Sequence, residues 1–336
     1  MESEHVNAPA RPLAGEAHAA GAAEGASAAA PAPADDWAHA PERSNAFALR
    51  LMTWIALACG RRVARWVLHP ITLYFVLFAP TAKRHSKRFL TRALGRTARF
   101  ADGYRHVHAF TATILDRVYL LRSGLKLFDV KVHGADRVDQ VLAEGRGAFL
   151  VGAHMGSFEV MRAVGDAHGG LRVAMIMYPD NARMINAALR AIAPDNKPDI
   201  IALGRVESML AVRDWLDGGG LAGLLADRQL QADTAKAGEL RVPFLGHEAV
   251  FSDGPFRLAA LLRRRVMFMA GLYLGGNRYD VRFEPLADFS ERLAGPEREQ
   301  RIREAVVAYA ARLEALCREQ PFNWFNFHDF WREDPH

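Results

Sequence analysis

The spacing of apolar residues changes twice along this 336-residue chain. From Leu49 to Thr81 they run almost continuously, interrupted by Arg50, Arg61, Arg62 and Arg65. From Lys83 to Phe128 they recur three and four apart, with Arg and Lys between them, which predicts amphipathic helix. Beyond about residue 129, short apolar runs alternate with helical periods. The runs GAFLVGAH, LRVAMIMY, PDIIAL, LAGLLAD, VMFMAGLYL and RYDVRFEPL read as strands. Between and after them, SFEVMRAVGDAHG, DNARMINAALRAI, RVESMLAVRDWLDGGG, GPFRLAALLRRR and a long segment from Gly295 to Pro321 read as helices.

Strands alternating with helices predict an α/β fold, with a mostly parallel central sheet flanked by helices. Ligands of such sheets bind beyond the carboxyl ends of the strands. His154 follows AFLVGA and Asp227 follows LAGLLA, so the pattern places both at one crevice.

Composition adds three points. Residues 1–44 are rich in Ala, Gly and Pro and hold almost nothing to bury, so they read as an unstructured tail without the layout of a signal peptide. Residues 45–82 form an apolar segment, and 83–336 the remaining domain. Trp66 to Ala82 carries no charge when His69 is neutral and is about the minimum length for crossing a bilayer, roughly 17 residues. His69, Pro70 and Pro80 weaken it as a span. Membrane contact is expected, spanning or lying in one leaflet; a buried helical hairpin is the alternative.

The net charge is +5, and the basic residues cluster: Arg61 to Arg105 holds eleven Lys and Arg against Asp102 alone. That excess suits an anionic surface such as membrane lipid or an acidic carrier protein. No nucleic-acid motif accompanies it, so no nucleic-acid partner is expected. Cys59 and Cys317 give neither a disulfide framework nor metal-ligand spacing, and no metal is expected. His106 and His108 stand two apart with no further ligands at zinc spacing.

The chemistry concentrates in GAHMGSFEVM. His154 ends the strand, Gly156 turns the chain, and Glu159 falls at the start of the next helix. In that arrangement the Glu159 carboxylate meets one imidazole nitrogen and the other faces the crevice, as a general base requires. Gly156 allows a tight turn and close approach of a substrate. Backbone N–H groups at the helix start are candidates for holding an oxyanion. G-x-S-x-G and phosphate-loop motifs are missing, so the dyad would deprotonate a substrate hydroxyl or water directly.

These residues bring a resemblance into view. H-x-x-x-x-E after a short apolar strand is similar to the signature of the glycerolipid acyltransferases. GLLADRQL, VPFLGHEAVFSDGPFRLAALLRRRV and EQPFNWFNFHDFWRE resemble, in order, later blocks of the bacterial lipid A biosynthesis acyltransferases, the lauroyl and myristoyl transferases. The resemblance covers roughly residues 45–332. It implies transfer of a fatty acyl chain to a hydroxyl of a lipid-like acceptor at the cytoplasmic face of the inner membrane. The donor would be an acyl thioester, of acyl carrier protein or coenzyme A, as co-substrate, with no other cofactor. It assigns His154 as base and Glu159 as its orienting partner, and places Asp227 and Arg228 at the substrate. Arg183 and Arg190 are candidates for the family's arginine between the first two blocks. NWFNFHDFW is either core or the wall of an acyl channel. A thioesterase or lysophospholipid hydrolase using the same dyad, and a non-catalytic lipid-binding protein, are the alternative readings.

Overall fold

The computed structural model describes residues 46–168, 171–177, 199–204, 206–228 and 238–332. Three helices precede the sheet: α1 (Ala46–Phe78), α2 (Pro80–Leu94) and α3 (Phe100–Ser123). The long helical period read from 83 to 128 is therefore two helices. Proline at its first position starts α2, and Gly95 ends it in the left-handed region at φ 64. Within α1, Gly60 breaks the helical path at φ 77 and ψ 168.

One face of α1, at four-residue spacing, is buried: Ala64, Leu68, Thr72 and Val76. Polar ties fasten the same helix. Arg61 donates two hydrogen bonds, of 2.8 and 2.9 Å, to the buried Asp116 of α3, and the Tyr279 hydroxyl donates a third of 2.9 Å. Burial pushes the Asp116 carboxyl up, against the pull of Arg61. Arg65 reaches the Tyr273 hydroxyl at 2.8 Å.

The sheet has seven strands in the order β1-β9-β8-β2-β5-β3-β4. They are β1 (Asp129–His133), β2 (Ala148–Gly152), β3 (Val173–Met177), β4 (Ile200–Ala202), β5 (Leu221–Leu225), β8 (Arg265–Tyr273) and β9 (Arg278–Asp288). From β8 through β4 every neighbour is parallel; β9 joins β8 antiparallel, and β1 is parallel to β9. The α/β expectation holds, and each strand read from the sequence is present.

Two features were not anticipated. Edge strand β1, DVKVH, is too polar and short to stand out. The strands β6 (Glu239–Phe244) and β7 (His247–Ser252) form an antiparallel hairpin. Its turn residues Leu245 and Gly246 both have positive φ, as a two-residue hairpin turn demands. The other described helices are α4 (Ala135–Ala143), α5 (Phe158–Ala167), α6 (Val206–Asp217), α7 (Gly254–Leu262) and α8 (Gly295–Glu319). The tail at 1–44, the helix at DNARMINAALRAI and residues Arg183 and Arg190 lie outside the described residues.

Among the described residues, no single helix is long and apolar enough to cross a membrane. The stretch Ala58–Phe78 reaches that length and composition only together with α2, across a bend of 94°.

Candidate active site

The central strand β2 is buried at every residue, which its run of small and apolar side chains permits. It lies parallel and in register with β5, Gly152 opposite Leu225. The Ala226 N–H donates to the Gly152 carbonyl at 3.0 Å, so the two chains leave the sheet side by side. Two residues beyond that register come His154 and Asp227. The sequence expectation of a shared crevice is met by this geometry.

The pairing inside the crevice differs from expectation. His154 Nδ1–H donates to Asp227 Oδ1 at 2.8 Å, and the His154 backbone N–H donates to Oδ2 at 3.0 Å. Glu159 does not take the Nδ1 bond. It stands in the first turn of α5, and its Oε1 lies 2.7 Å from Arg117 Nε of α3, an ion pair whose N–H is poorly aligned for a hydrogen bond. The reason is topological. Parallel register sets the residue after β5 beside the residue after β2, whereas Ser157 caps α5 through the Val160 N–H at 3.4 Å and starts the helix with Glu159 directed to α3.

Asp227 is 3 % exposed and accepts a third hydrogen bond, from Trp324 Nε1 at 2.8 Å. Burial alone would raise its carboxyl. The charge and hydrogen bond of His154, with Arg228 and Trp324, outweigh burial and hold it well below the usual carboxylate range. Asp227 is therefore an anion at neutral pH. As an acceptor it fixes the proton on Nδ1 and leaves Nε2 with its lone pair. Arg228 is itself half-buried; burial pulls its pKa down while Asp227 opposes.

Gly156 has φ +65, and a methyl group there would overlap the Gly271 carbonyl of β8. Glycine is thus needed for the turn, as expected, but the close approach seen is that of β8 backbone. The helix start was also expected to supply oxyanion donors. Three of its N–H groups already have partners: Gly156 on the Asn323 carbonyl (2.9 Å), Ser157 on that of Gly271 (2.8 Å) and Val160 on the Ser157 hydroxyl.

The C-terminal segment after α8 completes the site. Phe325 N–H donates to the His154 carbonyl at 2.8 Å, and Met155 pairs with Trp324 as an isolated bridge. The Asn323 side chain accepts from the Tyr273 N–H (2.6 Å) and donates to the Tyr273 carbonyl (3.0 Å), imitating a strand. Trp324 packs edge-on against Phe89, Phe244 and Phe330. Sequence reasoning saw only an aromatic core or channel wall in these residues; the asparagine at 323 beside a tryptophan was the available sign of polar duty.

The same segment brings His328 to the crevice. Burial pushes this imidazole down to about 4, reinforced by Arg228 and His154 and opposed by Asp227. It is neutral at pH 7. Below it, the fully buried His106 accepts at Nδ1 from the Ser86 hydroxyl (2.7 Å) and donates from Nε2 to the Trp324 carbonyl (2.8 Å).

An imidazole held by a buried carboxylate, beside an arginine, is equipped to remove a proton from a hydroxyl. The comparison with known families bears on what such a pair acts upon. Residues 116–333 match the family described as bacterial lipid A biosynthesis acyltransferase. The chain belongs to that family. No curated protein matches the chain. As a member, it is an acyltransferase, working on an acyl donor and a lipid acceptor. The match spans His154, Glu159, Asp227 and the C-terminal aromatic segment together, but begins beyond α1 and α2.

Proposed function

We propose that the protein transfers a fatty acyl chain from an acyl thioester to a hydroxyl of a lipid-like acceptor, with His154 as general base and Asp227 as its orienting partner. The observation that carries this reading is the 2.8 Å bond between His154 Nδ1 and an ionised, buried Asp227. His154 Nε2 takes the proton of the acceptor hydroxyl as its oxygen attacks the thioester carbonyl carbon. The tetrahedral intermediate carries an oxyanion that Arg228 faces. The carbon–sulfur bond then breaks, and the thiolate leaves with the proton from His154 Nε2. No acyl-enzyme is needed, because the acceptor oxygen is the nucleophile. Glu159, paired with Arg117, braces α5 against α3 and holds the turn at Gly156.

The donor is an acyl carrier protein, whose acidic surface complements the basic α2; acyl-coenzyme A is the alternative. The protein works at the cytoplasmic face of the inner membrane, with α1 lying in the interface. Its buried face packs on α3, while the opposite face offers Trp66 at 76 % exposure and Phe78 at 60 %. Exposed aromatics at that density, flanked by Arg and Lys, fit the boundary between headgroups and acyl chains.

The test compares lipids by mass spectrometry from cells making the wild-type protein and its His154→Ala variant. The expected result is a lipid seen only with the wild type, heavier than its precursor by one acyl group. Purified protein should then make that ester from acyl carrier protein thioester. Release of free fatty acid without ester would transfer the reading to a hydrolase, and undiminished turnover by His154→Ala would refute the base.

A further inference from the structure

Between the C-terminal end of α1, α2 and the first half of α3 runs a groove of about 370 Å³. It is more than twice the roughly 150 Å³ of a cavity that takes a benzene ring, so it has room for an alkyl chain. Its walls are apolar, among them Val76, Ala82, Val107 and Phe110, and its polar wall groups are spent internally. The Ser86 hydroxyl is bonded to His106, and the Thr111 hydroxyl donates to the His108 carbonyl. Lys83, Lys87 and Arg99 stand on its lining, all exposed, and no acidic residue does. Phe75 and Phe100, also on the lining, belong at the same time to the exposed apolar face of α1 and α3. The groove therefore opens onto the surface assigned above to the membrane. None of its lining residues is His154, Asp227, Arg228 or His328.

We infer that this groove binds an anionic phospholipid of the bilayer, one acyl chain between α1 and α3 and its phosphate against Lys83, Lys87 and Arg99. The proposal rests on the membrane contact of α1 and is independent of the chemistry at His154. Charge complementarity and continuity with the exposed aromatic face select this occupant. A chain buried in an apolar slot with its headgroup on three cations is held more tightly than one lying in the plane of the membrane. The bound lipid would fix the depth and orientation of the three-helix platform, and so the height of the crevice above the membrane.

Gly103 provides the means to test it. It lies on the groove wall inside α3, and a Cβ built there meets nothing within 4 Å. Gly103→Phe extends a ring into the slot from an unobstructed Cβ position and removes a helix-weakening residue, so thermal unfolding should not be lowered. The full-length protein is examined by native mass spectrometry from micelles containing phosphatidylglycerol or phosphatidylcholine, and by sedimentation with vesicles of each. The wild type should retain one phosphatidylglycerol and discriminate against phosphatidylcholine. Gly103→Phe should lose it, and Lys83→Gln with Lys87→Gln should weaken it about thirtyfold. Turnover of a short-chain acyl thioester in solution should be unchanged in Gly103→Phe.

Equal retention of the two lipids, or unchanged phosphatidylglycerol in Gly103→Phe, overturns the proposal. So does loss of long-chain thioester turnover in Gly103→Phe with lipid retained, because the slot would then hold the donor's chain. Vesicle binding of both lipid types, indifferent to these substitutions, removes the groove and leaves the membrane contact standing. A wild type that sediments with neither removes both.

Discussion

Asp227→Asn separates the proton relay from its surroundings. The carboxylate accepts from three donors: two through Oδ2, the His154 N–H and the Trp324 indole, and one through Oδ1, the His154 Nδ1–H. An asparagine oriented to keep its oxygen on the first two donors presents its NH₂ to Nδ1. That group cannot accept a proton, so the imidazole must carry its hydrogen on Nε2, where the base lone pair is needed. The expected loss in kcat is about 10²- to 10⁴-fold, the range between ordinary general-base catalysis and a wrong-tautomer triad. At about 1.4 kcal/mol per decade this is roughly 3–5 kcal/mol of transition-state stabilisation. Folding should suffer less: a charged hydrogen bond is lost, at about 1.5–3 kcal/mol, but a buried charge disappears with it. The assay is single-turnover release of thiol from an acyl carrier protein thioester, with acceptor saturating, beside thermal unfolding. A variant within threefold of the wild-type rate would refute the assignment of Asp227 and return the orienting role to Glu159.

Three further outcomes follow from the same geometry. Trp324→Phe keeps the ring packing but removes one donor from Asp227; it should destabilise by about 1.5–3 kcal/mol in urea unfolding and lower kcat more than it raises KM. Gly156→Ala places a Cβ onto the Gly271 carbonyl at φ +65, so roughly 2–4 kcal/mol of stability should be lost, measured by the denaturation midpoint, together with activity. His106 is buried as the neutral imidazole, its pKa lowered by burial from 6.5 to about 4. Its contribution is complete above pH 6.5 and is lost as pH falls from 6.5 to 4, because the unfolded chain takes the proton first; about 3 kcal/mol should disappear over that window. His106→Gln should flatten that part of the stability curve, and an unchanged curve would show that His106 is not its source.

How much of this was legible beforehand depended on whether the signal was local. Strands β2 and β5 are uninterrupted apolar runs between turn residues, and the position of His154 and Asp227 just beyond each was readable directly. Which carboxylate meets the imidazole was not readable. Glu159 is five residues from His154 and Asp227 seventy-three, yet the parallel register of β2 with β5 decides in favour of the distant one. Sequence spacing says how far a side chain can reach, while sheet register says where its backbone begins. The helices at 83–128 show the same limit on a smaller scale: a period of 3.6 residues continues across Gly95, and only the glycine's left-handed φ reveals the break. The hairpin β6–β7 was hidden because Leu245, an apolar residue, occupies a turn position usually given to asparagine or glycine.

The C-terminal segment carries the argument furthest from local pattern. Residues 323–328 look like surplus aromatic core in the sequence, yet Asn323, Trp324 and Phe325 each have a partner in the turn that carries His154 or on its support. Asn323 pairs with Tyr273 and accepts from Gly156, Trp324 bonds Asp227 and receives His106, and Phe325 bonds His154. The turn from Ala153 to Ser157 has few internal hydrogen bonds, so this segment supplies the ladder that a neighbouring strand would otherwise provide. Through Ser86 and His106 the same ladder continues into α2 and α3, which form the groove and the exposed apolar face. A shift of the three-helix platform on a membrane would therefore act on Trp324, and through its indole on the carboxylate that orients the base. The three-helix platform and the His154–Asp227 pair are joined in this protein by a single chain of contacts, from Ser86 through His106 and Trp324 to Asp227 and His154.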